Sequence, residues 1–110
     1  GLFSAMVSPA QIDTCTEGLL RDAIALARET GRPLFTHGAQ SYPEFNQMAR
    51  LHNMTPVAYM NSIGFLGEHT VIGHAVFTDE YPWLLWPTRE DLSLLAETGT
   101  PIAHCPTVFI

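Results

Sequence analysis

The chain contains no lysine, and its five arginines face eleven acids for a formal net charge of −6. With no basic cluster to neutralise a phosphate backbone, the composition argues against a nucleic-acid partner. No apolar run reaches the roughly 18 residues of a membrane span, and the opening Gly1-Leu2-Phe3-Ser4-Ala5-Met6 lacks the basic flank of a secretory signal. The expectation is a cytoplasmic protein with no membrane partner. Cysteine is scarce: Cys15 and Cys105 form no Cys-x-x-Cys pair, which points to structural or site-lining thiols in a reduced compartment. No Gly-x-Ser-x-Gly elbow is present, and Cys105 is wedged between His104 and Pro106, so a serine or cysteine nucleophile has little support. His-x-His is also missing.

What is present is a repeated unit. Pro33-Leu34-Phe35-Thr36-His37-Gly38 is an apolar run closed by histidine, and it recurs as Thr70-Val71-Ile72-Gly73-His74 and Pro101-Ile102-Ala103-His104. The spacing, from 37 to 74 and from 74 to 104, suits a strand, a covering helix and two loops, about 30 residues in all. A large apolar residue precedes each histidine by two places: Phe35, Ile72 and Ile102. Alternation along a strand predicts that each such pair shares one face. If the strands are parallel neighbours, three imidazoles converge at their carboxyl ends, where parallel α/β sheets place their chemistry.

Helical signals fill the intervals. Residues 1 to 13 read as a strand end and a loop, followed by Thr14-Cys15-Thr16-Glu17 with the spacing of a capping box. Leu20, Ala23, Ile24 and Ala27 recur at helical spacing until Gly31 and Pro33 end the helix. Ser41-Tyr42-Pro43-Glu44 repeats the capping-box spacing ahead of Phe45, Met48 and Ala49, and Thr55-Pro56 starts a short helix through Met60, closed by Gly64. His52 reads as a packing or surface residue, and His69 precedes its strand, far from the proposed site. Tyr81-Pro82-Trp83-Leu84-Leu85-Trp86-Pro87 is too rich in proline for a regular element and unusually apolar for a loop. A lid or pocket wall, a subunit contact and local packing are all open for it. Thr88-Arg89-Glu90-Asp91 starts a helix with Leu92, Leu95 and Ala96 on its apolar side, stopped by Gly99 and Pro101. Alternating strands and amphipathic helices predict α/β architecture with a parallel sheet.

A lone histidine at a strand end is usually just hydrogen-bonded. Three at equivalent ends suggest metal ligation, because neutral imidazole is the commonest nitrogen donor to zinc and iron, and metal-assisted hydrolysis is the chemistry such a site supports. With these motifs in order, the sequence resembles the middle of an amidohydrolase-superfamily barrel, in the branch of guanine deaminase, cytosine deaminase and the triazine hydrolases. The matching stretches are Thr14-Cys15-Thr16-Glu17, Thr36-His37-Gly38-Ala39-Gln40, Gly73-His74-Ala75 and Ile102-Ala103-His104-Cys105-Pro106-Thr107.

The resemblance implies part of a (β/α)8 TIM-type barrel, about strands 4 to 7, with residues 1–110 as a fragment of the catalytic domain. It implies a hydrolase cutting a C–N or related bond through a metal-activated water, with one divalent metal, zinc ahead of iron, and a small-molecule substrate. His37 would be the metal ligand. His74 and Gln40 would be catalytic, and Gln11 and His104 would contact substrate. The His-x-His of strand 1 and the aspartate of strand 8 are absent from these residues, so the piece is expected to need the rest of the barrel or a homo-oligomer and to be inactive alone. Two departures stand out. Deaminases of this group carry glutamate where this chain has Gln40, and the strand-7 motif continues with Val108 and Phe109 in place of Ser-Asn. An amide hydrogen-bonds but does not exchange protons, which makes ordinary guanine or cytosine deamination less favoured than hydrolysis of another ring or amide. The competing reading is a self-contained α/β binding or regulatory domain.

Overall fold

The computed structural model describes residues 4–104. Its order is α1 (Glu17–Thr30), β1 (Leu34–Gly38), α2 (Tyr42–His52), α3 (Pro56–Ser62), β2 (Thr70–His74), α4 (Asp91–Thr98) and β3 (Ile102–Ala103). The strands form one parallel sheet in the order β1-β2-β3, with Phe35 opposite Val71, His37 opposite Gly73, and Gly73 opposite Ala103. On the outer side of β1, Val7 and Gln11 make isolated parallel bridges to Leu34 and His37. Segment 7–11 therefore takes the place of a preceding strand without becoming a regular one. Neighbours that follow chain order, all parallel, are the arrangement of a barrel wall; a doubly wound sheet reverses its order midway. No helix among the described residues is long and apolar enough to cross a membrane.

Helix starts follow the hydroxyl signals, with one shift. Thr16, not Thr14, caps α1 by accepting from the Leu19 amide, and Glu17 pairs with Arg21 instead of reaching back. Thr14 instead donates its hydroxyl to the Gln11 carbonyl. Ser41 caps α2 and Thr55 caps α3 as expected. At α4 the expected local start is replaced: Glu90 makes no side-chain cap, and the carboxylate of Asp79 accepts from the Glu90 and Asp91 amides. The apolar side of α4 is also narrower than its spacing predicts, since Leu95 is buried while Leu92 and Ala96 are exposed.

The core lies between the sheet and the helices. Leu34, Thr36 and Gly38 of β1 face it, as does Ile72 of β2, and Leu20, Ile24, Met48, Val57, Met60 and Phe65 close over them. Burying an aliphatic side chain of this size contributes about 1.5–3 kcal/mol each. Phe35 and His37 alternate to the other face of β1, half-buried. The motif Cys105-Pro106-Thr107 and positions Val108 and Phe109 lie outside the described residues, as do Leu2 and Phe3 of the first strand.

Candidate active site

His37 and His74 meet at the carboxyl ends of β1 and β2. His37 Nδ1 lies 3.1 Å from His74 Nε2, with ring centroids 5.1 Å apart. The expected juxtaposition is present, but the strand phase behind it differs from the simple alternation. Ile72 pairs with Thr36 and faces the helices, so His74, opposite Gly38, should follow it there. His74 instead has φ +79°, and Ala75 has φ +51°. This left-handed exit turns the strand end over and brings the imidazole to His37. A non-glycine residue pays roughly 1–2 kcal/mol for such a backbone, strain of the kind found at functional sites.

Gly73 makes the contact possible. A Cβ there would stand 3.1 Å from His37 Nδ1 and 3.2 Å from Phe35 Cζ. The glycine directly opposite His37 is therefore space left for an imidazole, and Phe35 then meets that ring edge-on at 5.2 Å. A glycine within an otherwise β-branched strand signals close approach, a signal present in Val71-Ile72-Gly73-His74.

The turn after β1 is held by a buried carboxyl. Glu44 is fully buried and accepts from the amides of Ala39 and Gln40, while its own amide donates to Ser41 Oγ. In a capping box the glutamate would return to the Ser41 amide; here it reaches further back, to the turn beside the site. Burial raises its pKa from 4.5 to about 7, against the lowering effect of the two amides, and the charge of Asp13 adds to the rise. Ala39, with φ +53°, turns its carbonyl to accept from both Val76 and Phe77, which fastens the segment after β2 across the end of β1. Gln40 follows directly and is buried. His74 has its pKa lowered, first by burial and then by the charge of His37.

Gln11 lies against β1 opposite His37, at the same end of the sheet. His104 follows β3 and is exposed. Among the described residues no group of three His, Cys, Asp or Glu side chains could hold a metal ion, so convergence of three imidazoles is limited to a pair. The 3.1 Å approach is a hydrogen bond between two imidazoles, and because each ring has two nitrogens, His37 can meet His74 through Nδ1 and offer Nε2 to a metal. His52 stacks on Tyr59 at 4.3 Å, a packing role, and His69 lines a cavity of about 450 Å³ with Arg28, Arg32 and Phe65 at the opposite, amino end of the sheet.

Sequence reasoning missed a second buried pair. Asp79 and Asp91 clasp reciprocally: the Asp79 amide donates to Asp91 Oδ2 at 2.7 Å, and the Asp91 amide donates to Asp79 Oδ1 at 3.1 Å. Thr55 and Thr88 hydroxyls donate to Asp91 and Asp79, so the clasp fixes both ends of the apolar loop and ties it to α3. Burial raises the Asp91 pKa to about 6. No local spacing announces a bond that spans twelve residues.

The fold and paired histidines define a section of a parallel β/α wall with an imidazole site at the strand ends. No family model matches the chain. It is 31% identical over 94 residues to 5'-deoxyadenosine deaminase of Methanothermobacter thermautotrophicus, covering 86% of this chain and 20% of the relative. It is 33% identical over 105 residues to 5-methylthioadenosine/S-adenosylhomocysteine deaminase of Aquifex aeolicus, covering 96% and 22%. Among solved structures, a zinc-bound adenosine deaminase of Xanthomonas campestris gives a TM-score of 0.77 at 19% identity, covering 90% of this chain and 20% of that one. Guanine deaminase of C. acetobutylicum with bound guanine gives 0.76 at 19% identity, covering 93% and 23%. The relatives are deaminases and the fold neighbours are amidohydrolase-superfamily barrels, in agreement with the resemblance carried by the motifs. The chain spans about a fifth of the length of the curated relatives it matches.

Proposed function

We propose that this chain supplies about strands 4 to 7 of the catalytic barrel of a metal-dependent aminohydrolase or amidohydrolase. The intact enzyme would hydrolyse a C–N or related bond of a small heterocyclic or amide substrate. The observation that carries this reading is the 3.1 Å approach of His37 and His74 from neighbouring parallel strands. Similarity to named deaminases along 86% and 96% of the chain supports an enzyme over a self-contained binding domain.

A bound divalent metal would supply a water whose pKa falls toward 7. His37 would hold that metal, with the remaining donors coming from the rest of the barrel. Burial first, and then the charge of His37, lower the pKa of His74, which favours the neutral imidazole that can accept a proton or a hydrogen bond at the site. Gln40 orients substrate through its amide and holds no exchangeable acid proton. Gln11 and His104 flank the pair and would contact substrate. Zinc is favoured over iron by the zinc in a fold neighbour. A cytoplasmic setting rests on the scarcity of cysteine and the lack of a Cys-x-x-Cys pair in the sequence. The other barrel walls would come from the remainder of the polypeptide or from partner copies.

The test is ammonia release by the intact enzyme from a panel of aminated purines, pyrimidines and triazines, before and after chelation. Activity that disappears with chelator and returns with zinc or iron is the expected result. Undiminished turnover in the metal-free enzyme would contradict the proposal.

A further inference from the structure

We infer that the loop 80–87 is a substrate-facing apolar wall, and that the substrate carries an aromatic or other apolar substituent remote from the bond that is cut. This rests on the proposed hydrolase reading and concerns the same site. Three residues past His74, the Phe77 amide donates to the Ala39 carbonyl, so the Phe77 backbone is pinned against the turn that follows His37. From there the rings continue in contact: Phe77 to Tyr81 at 4.7 Å, then Tyr81 to Trp83 at 6.2 Å. The series begins at the histidine end of the sheet and ends on Trp83.

Among the described residues nothing covers its outer end. Trp83 and Leu85 are 86% and 87% exposed, the most exposed large apolar side chains among the described residues. Yet the segment is built. The Asp79 and Asp91 clasp closes its base, the Leu84 amide donates to the Tyr81 carbonyl, and Trp86 packs edge-on against Phe45 of α2 at 5.3 Å. Leu85 is held at φ +51°. A loop fastened at both ends that presents two large apolar groups offers a preformed surface, which binds with little ordering cost. Its charge selects the ligand: no arginine lies between His74 and Arg89, while Asp79 and Glu80 are acidic. An anionic substituent such as phosphate would find no partner there, and a flat apolar one would find an indole to stack on.

The experiment uses the intact enzyme and whichever aminated ring it turns over, comparing the bare ring with its benzyl derivative. Trp83→Ala is expected to reduce the preference for the benzyl derivative in kcat/KM by about tenfold or more, through KM, with Trp83→Phe restoring most of it. Calorimetric binding of the benzyl compound, read separately from turnover, should weaken in the same order. Turnover of the bare ring with an unchanged benzyl preference in Trp83→Ala would overturn the inference, and so would a changed mass in solution with that preference intact, which would mark an interface between copies. If no ring is turned over but the benzyl compound binds in a Trp83-dependent way, the hydrolase reading fails and the apolar wall stands.

Discussion

The two ends of the sheet handle left-handed backbone in opposite ways. Where chain enters the strands, at the amino end, the left-handed positions are Gly31, Gly64 and Gly99, which carry no side-chain penalty; the remaining one outside the strand exits, Asn53, is the C-cap of α2, where asparagine tolerates this backbone. Where chain leaves them, at the carboxyl end and in the loop beyond, they are Ala39, His74, Ala75 and Leu85. Each of these holds a conformation that glycine would adopt more cheaply. The amino end is thus built from ordinary helix stops, while the carboxyl end retains strain that places an imidazole, a carbonyl and an exposed leucine. The strained end is the one that carries the paired histidines, while the cavity lined by His69 lies at the unstrained end.

The comparison breaks most sharply at Gly73. In Gly73→Leu the new side chain would meet His37 and Phe35 within 3.2 Å from its first carbon. Overpacking of this kind costs about 3 kcal/mol, so denaturant titration of the intact enzyme should show a loss near that size together with loss of turnover. Unchanged stability would mean that His37 does not occupy the space.

Next comes the buried carboxyl of the site turn. Folded, Glu44 keeps its proton up to about pH 7, whereas its ordinary value is 4.5, so the folded state binds more protons between those limits. Stability should therefore fall as pH rises from 4.5 to about 7, by about 3 kcal/mol at 1.36 kcal/mol per unit. Glu44→Gln should flatten that window in thermal or denaturant unfolding followed against pH. A slope identical in the wild type and the variant would assign the pH dependence elsewhere.

Gln40→Glu sharpens the comparison by restoring an acid beside the site. A positioned acid or base is typically worth about 10²- to 10⁴-fold in rate, so substrate preference or the pH profile should move far more than the unfolding midpoint. Kinetics unchanged over the whole panel of aminated heterocycles would remove Gln40 from proton transfer. The smallest effect is expected at Ala75, where Ala75→Gly relieves a left-handed backbone but loosens the unfolded chain. The two contributions nearly offset, leaving a stability change within about 1 kcal/mol, measurable by denaturant titration.

Most of the fold was legible because its signals are local. Ser41 and Thr55 cap where their hydroxyls predict, Gly31 and Gly99 end α1 and α4, and the apolar runs become parallel strands. Thr14 was the wrong cap because Thr16 offers the same hydroxyl two residues closer to the apolar stripe. The pairing of His37 with His74 was legible from motif and spacing, but not the reason for it, because a left-handed residue resets the alternation on which strand reading depends. Glu44 was visible only as a cap and not as the carboxyl that fixes the turn at Ala39 and Gln40. The Asp79 and Asp91 clasp joins residues twelve apart across an irregular loop, beyond any periodic signal.

The central claim is that the strained end of the sheet presents His37 to a metal. Elemental analysis of the intact enzyme, wild type against His37→Ala, with His69→Ala from the amino end as control, tests it most directly. The account predicts bound zinc or iron in the wild type and in His69→Ala, and its loss in His37→Ala. Full metal content in folded His37→Ala would contradict it.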